Sequence, residues 1–249
     1  MVSLAVAERY GRSARRLPLV PTLALAAFAL VAVAVERGGR LVALDHRIAD
    51  WLVVHRSVAG LRVATGLIYL GEPNLMPFVL LALAGVLSAR RRSWEPIRVA
   101  AIAVAALSVV VLGTKEAFGR GGPAGQLAVS SGWRVDQFVS FMHRGAFPSG
   151  HTTTAIVTWT TAVVLIRGRL GRAGLALVSA VALVVGASLV YAGFHWLSDV
   201  LGAYALGIAL SWALVRITRR ENEPANRMNC HVPEFLIRQP VTTRSQAGA

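Results

Sequence analysis

The chain has 249 residues, 55% of them hydrophobic and only 15% charged, with a positive mean hydropathy. A soluble domain carries about 25% charged residues, and here the apolar residues fall in blocks of about 20, the length of a membrane-crossing helix, so a soluble class is excluded and an all-α integral membrane protein is predicted. The formal charge of +14 would suit nucleic acid, but the basic residues cluster between apolar blocks and not along one soluble face, so no nucleic-acid partner is expected.

Residues 1–16 form a basic N-terminal segment with Arg9, Arg12, Arg15 and Arg16. The first apolar block, Leu17 to Val35, could be read as a signal peptide, with "VAVAV" as a small-residue cleavage site. It is longer than the usual apolar region of about 7–15 residues, which favours a retained span. In "LDHRIADWLVVHR", Ile48, Trp51, Leu52 and Val53 or Val54 fall near helical spacing between charged neighbours. That pattern predicts a short helix lying in the membrane interface, or an ordinary amphipathic loop helix.

The second span is expected within Ala64 to Ala89, with Pro73 and Pro77 blurring its start and "ARRRSWEP" ending it. The third runs from about Ile97 to Gly113, and a polar loop, Thr114 to Pro148, follows. The fourth starts at Ser149 or Gly150 and reaches Ile166. The connector "RGRLGR" leads to the fifth, Ala173 to Ala192. A break at "YAGFHWLSD" precedes the sixth, Val200 to Val215. The predicted division is a basic N-terminus (1–16), a six-helix membrane domain (17–217) and a flexible tail (218–249), the last being polar and without sustained periodicity. Cys230 and His231 adjoin in that tail, but it is the only cysteine, so no metal site and no intrachain disulfide is expected. No internal repeat with a clear period is present.

Six spans put both termini on one side, and basic residues near span ends choose that side. Loops on the terminal side hold 17 of the 26 Lys and Arg and 5 of the 12 acids. The connectors "ARRR" and "RGRLGR" are unusually clear. Both termini are therefore expected in the cytoplasm, with residues 114–148 and the break near His195 facing outward.

Three polar stretches then share the outer face: "TKEAFGRGGP", "FPSGHTTTA" and "YAGFHWLSDV". Ionisable groups at membrane depth are costly and are functional candidates by default. Ser149 is a candidate N-cap, and the first turn of its helix leaves backbone N–H groups free for an anion such as phosphate. His151 in that turn is poised to exchange a proton with a bound anion; on its own it would read as an interfacial side chain. His195 and Asp199 are spaced i, i+4. On one helical turn the carboxylate would fix the imidazole tautomer and leave the other nitrogen free to attack or to shuttle protons, or the two would form a surface pair. Asp199 would also suit the start of a helix. Lys115 and Arg120, set among glycines, could surround a phosphate or simply snorkel to the interface.

Together "KEAFGRGGP", "PSGH" and "HWLSD", in this order and after these spans, resemble the type 2 phosphatidic acid phosphatase superfamily, over roughly residues 17–217. That superfamily includes bacterial undecaprenyl-pyrophosphate phosphatases and vanadium haloperoxidases. The resemblance implies a metal-independent, cofactor-free lipid phosphate or pyrophosphate phosphatase of the bacterial plasma membrane. It implies His195 as nucleophile, Asp199 orienting it, and His151 protonating the leaving group. Lys115, Arg120, Ser149 and the Gly150 N–H would hold the phosphoryl oxygens. Its partners would be a lipid phosphate, an isoprenoid pyrophosphate being favoured, and the surrounding membrane lipids.

Two family arginines are absent: Gly122 stands seven residues after Lys115, and Leu189 six before His195. Arg120, Arg134 or Arg144 are the candidates to replace them. The alternatives are a relative that binds or moves lipid phosphates without turnover, a transporter, and a vanadate-dependent haloperoxidase. The transporter would need polar residues deep in several spans. The haloperoxidases are mostly soluble.

Overall fold

The computed structural model describes residues 19–123 and 145–228, with side chains to Ile217. Eight α-helices and one 3-10 turn make up its regular structure, with no strand among the described residues. The helices are α1 (Leu19–Glu36), α2 (Arg40–His55), α3 (Val58–Ile68), α4 (Met76–Arg91), α5 (Glu95–Phe118), α6 (Gly150–Arg167), α7 (Arg172–Ala192) and α8 (Leu197–Met228). The chain divides at Val215/Arg216 into two compact units. The first holds the bundle. The second is described only as the end of α8.

Four helices are long and apolar enough to cross a membrane: α1, α5, α7 and the Leu197–Ile217 part of α8. A fifth span results if α3 with its 3-10 turn and α4, bent by 48°, count as one broken span. The bend falls where the sequence blurred the second span: Pro73 lies in the break and Pro77 at the start of α4, where a missing N–H costs nothing. Leu23, Leu30, Phe78, Val109, Leu112 and Leu183 project outward from these helices, as lipid-facing side chains do.

The predicted fourth span, α6, is an 18-residue helix but is not among those apolar enough. Its six threonines lower its hydropathy, and all six are buried. Thirteen of its 18 residues are buried, because α6 occupies the middle of the bundle. Three of the hydroxyls are satisfied within the helix: Thr153 donates to the Ser149 carbonyl, Thr158 to Thr154 and Thr161 to Val157, at 2.7–2.9 Å. A polar helix can thus sit inside an apolar bundle without exposing a hydrogen-bonding group to lipid.

Packing around α6 is largely apolar. Val157 and Leu165 meet Leu80 and Ala84 of α4, Ala100 and Leu107 of α5, and Leu214 of α8. Ala155 meets Ile68 of α3 and Val185 and Leu189 of α7. Phe147, fully buried before the start of α6, stacks on Phe28 of α1 at 5.7 Å and meets Phe118 of α5 edge-on.

Element ends differ from the sequence expectation in understandable ways. The short helix expected around Ile48 to Val54 is longer, 16 residues, and its one buried residue is a carboxylate, Asp45. α5 runs past Gly113 to Phe118, where Gly119 ends it at φ +55. α8 begins at Leu197 and runs to Met228, so the first residues of the expected tail are helical, and residues 229–249, with Cys230 and His231, lie outside the described residues.

Gly71, at the end of the 3-10 turn, lies against α6. A Cβ there would be 2.5 Å from the His151 carbonyl oxygen. Gly71→Ala should therefore force the turn off α6 and cost about 1–3 kcal/mol. Gly66→Ala, with nothing within 4 Å of the added carbon, should stay within about 0.5 kcal/mol of wild type. Thermal unfolding of both variants in detergent checks the contrast.

Candidate active site

The break between α7 and α8, the start of α6 and the end of α5 converge. His195 lies in the turn before α8 and is buried. Its Nδ1 is 3.3 Å from Asp199 Oδ2. A carboxylate can only accept, so Nδ1 carries the proton and Nε2 keeps its lone pair. Nε2 is buried and has no hydrogen-bond partner among the described residues. The sequence left open whether both residues lie on one helical turn; the pair forms across the helix start, with His195 before it and Asp199 in its first turn.

Asp199 stands in the first turn of α8 and is fully buried. Its Oδ2 also accepts the Trp196 backbone N–H at 3.0 Å. This is the carboxylate arm of a capping box, reaching back to the helix start. Its other oxygen, Oδ1, accepts Arg120 Nη1 at 2.7 Å. One carboxylate thus caps a helix, orients an imidazole and binds a guanidinium.

Arg120 follows α5 and is held on several sides. Nη1 also donates to Ser198 Oγ at 2.6 Å, and Nη2 to Asp45 Oδ2 of α2 at 2.8 Å. Its guanidinium carbon lies 5.7 Å from the centre of the Trp196 ring. The Arg120 carbonyl accepts the Gly145 and Ala146 N–H groups, and the Trp196 indole donates to the Gly121 carbonyl. The guanidinium is therefore occupied by carboxylates, where a phosphate ligand had been expected.

Ser149 caps α6: its Oγ accepts the Thr152 N–H, and its own N–H donates to the Asp199 carbonyl at 3.1 Å. That bond ties the start of α6 to the start of α8. Lys115, on the last turn of α5, runs past Gly145 and Gly150. A Cβ at Gly150 would lie 3.8 Å from Lys115 Nζ. An ammonium and the free amides of a helix N-terminus thus share one place, an arrangement that favours an anion. His151 has its ring centre 6.3 Å from that of His195. Its Nε2 donates to Glu72 Oε2 at 3.0 Å; Glu72 lies in the break between α3 and α4.

Residues 94–223 match the family described as the PAP2 superfamily, more than half of the chain. The chain belongs to the PAP2 superfamily. The crystal structure of the first transmembrane PAP2 type phosphatidylglycerolphosphate phosphatase from Bacillus subtilis superposes with a TM-score of 0.66. The two are 21% identical over 81% of this chain and 96% of that one, a likeness of fold. No curated protein matches by sequence.

This PAP2 protein thus brings six expected residues together with Arg120: His195, Asp199, His151, Lys115, Ser149 and Gly150. Arg134 and Arg144, the other candidate replacements, lie outside the described residues. Leu189, at the position of a family arginine, is fully buried against Ile68, Ala155 and Val185. Sequence reading missed Asp45, Glu72 and Ser198. Asp45 left one trace, a carboxylate within an amphipathic stretch.

Burial pushes the His195 imidazole below its ordinary value. The Asp199 hydrogen bond and charge oppose this, and the His151 and Lys115 charges reinforce it. A histidine lowered in the folded state contributes stability that is intact above its unfolded value, about 6.5, and is lost as pH falls toward the folded value. The melting temperature should therefore drop more between pH 7 and pH 5 in wild type than in His195→Gln. Asp199→Ala takes one of Arg120's two carboxylates and the acceptor of the His195 and Trp196 N–H groups, and should cost about 3–5 kcal/mol. Both read out by thermal unfolding in detergent.

Proposed function

We propose that the protein is a lipid phosphatase that hydrolyses a phosphomonoester or pyrophosphate of a membrane lipid through a phosphohistidine. The observation that carries this reading is the unpartnered His195 Nε2, backed by Asp199 and facing a second imidazole. Its lone pair forms the N–P bond as the P–O bond to the lipid breaks, and His151 delivers a proton to the departing oxygen. Water, passing a proton back to His151, then attacks the phosphohistidine and breaks the N–P bond, which releases inorganic phosphate and restores both imidazoles. Lys115, the Ser149 hydroxyl and the Gly150 N–H hold the phosphoryl oxygens and offset charge as it develops. Arg120 acts from behind, through Asp199, and no metal or cofactor takes part.

The reading includes six spans: the bent α3–α4 pair supplies the second and α6 the fourth. Arginine placement puts both termini in the cytoplasm and the site at the outer surface of the plasma membrane. A site at that boundary suits a substrate whose tail stays in the bilayer, and an isoprenoid pyrophosphate such as undecaprenyl pyrophosphate is the first to test. A second reading, a relative that binds or moves lipid phosphates without turnover, is favoured by Gly122 and Leu189, which leave two guanidinium groups out of the site.

Phosphate release by purified protein across a panel of lipid phosphates separates the two readings. Wild type should turn over at least one lipid. His195→Ala should fall to background, and His151→Ala should lose about 10²–10⁴-fold. Because burial favours neutral His195, activity should persist below about pH 6.5, the ordinary imidazole value. A wild type inert toward every lipid would leave the binding-only reading standing.

A further inference from the structure

Asp45 is the one buried residue of α2, and it is distant in sequence from every motif of the site. A buried carboxylate must be balanced and fully hydrogen-bonded, or it is strongly destabilising. Asp45 meets that demand entirely at the site. Its Oδ1 accepts the Ser198 backbone N–H at 2.9 Å, and its Oδ2 accepts the Ser198 hydroxyl and Arg120 Nη2. Ser198 Oγ in turn accepts Arg120 Nη1, which also reaches Asp199. One guanidinium therefore bridges two carboxylates, each with no exposed side-chain surface.

We propose that Asp45 is a positioning residue: it takes one half of the Arg120 guanidinium, so that the other half locks Asp199 behind His195 and stays off the bound phosphoryl group. The role rests on the phosphatase reading above. It explains how an arginine beside a phosphate site can be withheld from phosphate. Arg120 in this chain is shared between Asp45, Ser198 and Asp199, and its open face lies on the Trp196 ring. Phosphate binding then falls to Lys115 and the amides of α6.

The charges around His195 decide what loss of Asp45 does. Among the described residues they are Asp199 of α8, Arg120 and Lys115 from α5 and its exit, His151 of α6 with Glu72 behind it, and Asp45 and His46 of α2. His46 packs on Trp196. Arg120 and Lys115 balance Asp45 and Asp199. Asp45→Asn removes one negative charge and turns an amide donor toward Arg120, which frees the guanidinium for an anion. The excess positive charge makes His195 harder to protonate.

The test compares full-length wild type, Asp45→Asn and Asp45→Glu in detergent with a lipid phosphate that the wild type hydrolyses. In Asp45→Asn, kcat should fall by about 10²-fold, as when a catalytic group is misplaced. KM should stay level or drop, and the acid limb of the kcat/KM profile should move to lower pH by about one unit. Asp45→Glu, which keeps the charge, should hold the acid limb at the wild-type position. Unchanged kcat, or an acid limb that does not move in Asp45→Asn, would overturn the role while leaving the phosphatase reading intact. If no lipid is hydrolysed, that reading fails separately and orthovanadate binding decides. Asp45→Asn should bind orthovanadate several-fold more tightly through the released Arg120, and an equal Kd overturns the proposal. Should Asp45→Asn not fold, Ser198→Ala removes the hydroxyl shared by Asp45 and Arg120 without changing the charge: kcat should fall with the acid limb unmoved, and an unchanged kcat overturns the role.

Discussion

The structure around the site depends on satisfying one buried anion. Asp199 has no exposed side-chain surface, and a carboxylate left without partners at such a place would be strongly destabilising. Three donors satisfy it: the Trp196 N–H, the Arg120 guanidinium and the His195 imidazole. Each comes from a different structural cause: a helix start, the exit of α5 and the turn after α7. The helix start of α8, the position of α5 and the tautomer of His195 are therefore all fixed by one group. The same logic extends outward, because the Arg120 guanidinium carries a donor, Nη2, that Asp199 does not use, and Asp45 from α2 accepts it.

The placement of α6 follows from a second constraint. A helix with six threonines is a poor membrane span by composition. Surrounded by α4, α5, α7 and α8, with three of its hydroxyls bonded back to carbonyls of its own turns, it can carry a serine cap, an imidazole and free amides to the end of the bundle. Its neighbours can then spend their apolar surface on lipid. The division of labour shows in exposure: Val109 on α5 is 72% exposed, whereas Val157 on α6 is fully buried.

The helices were largely legible because each apolar block ends in arginines, glycines or prolines. What sequence could not show was depth. Ile48 and Trp51 marked α2 as an interfacial helix, but nothing local distinguishes Asp45, which is buried, from Asp50, which is exposed. The difference arises from Ser198 and Arg120, more than 70 positions away. For the same reason Arg120 read as a phosphate ligand: its partners belong to other helices. Glu72 sat beside Pro73 in a segment that looked like a blurred helix start, and only the bend brings it to His151. The His195–Asp199 spacing was legible, though the geometry that joins them is a helix cap and not a helix face.

The backbone bond from Ser149 to the Asp199 carbonyl, with the Arg120 and Gly121 carbonyls bonded to Ala146 and Trp196, welds three helix ends into one frame. Glu72 stands outside it, on the 48° joint between α3 and α4. His151, carried into the frame by α6, is also tied through Glu72 to that joint, so a shift of the α3–α4 pair would reach the site through His151.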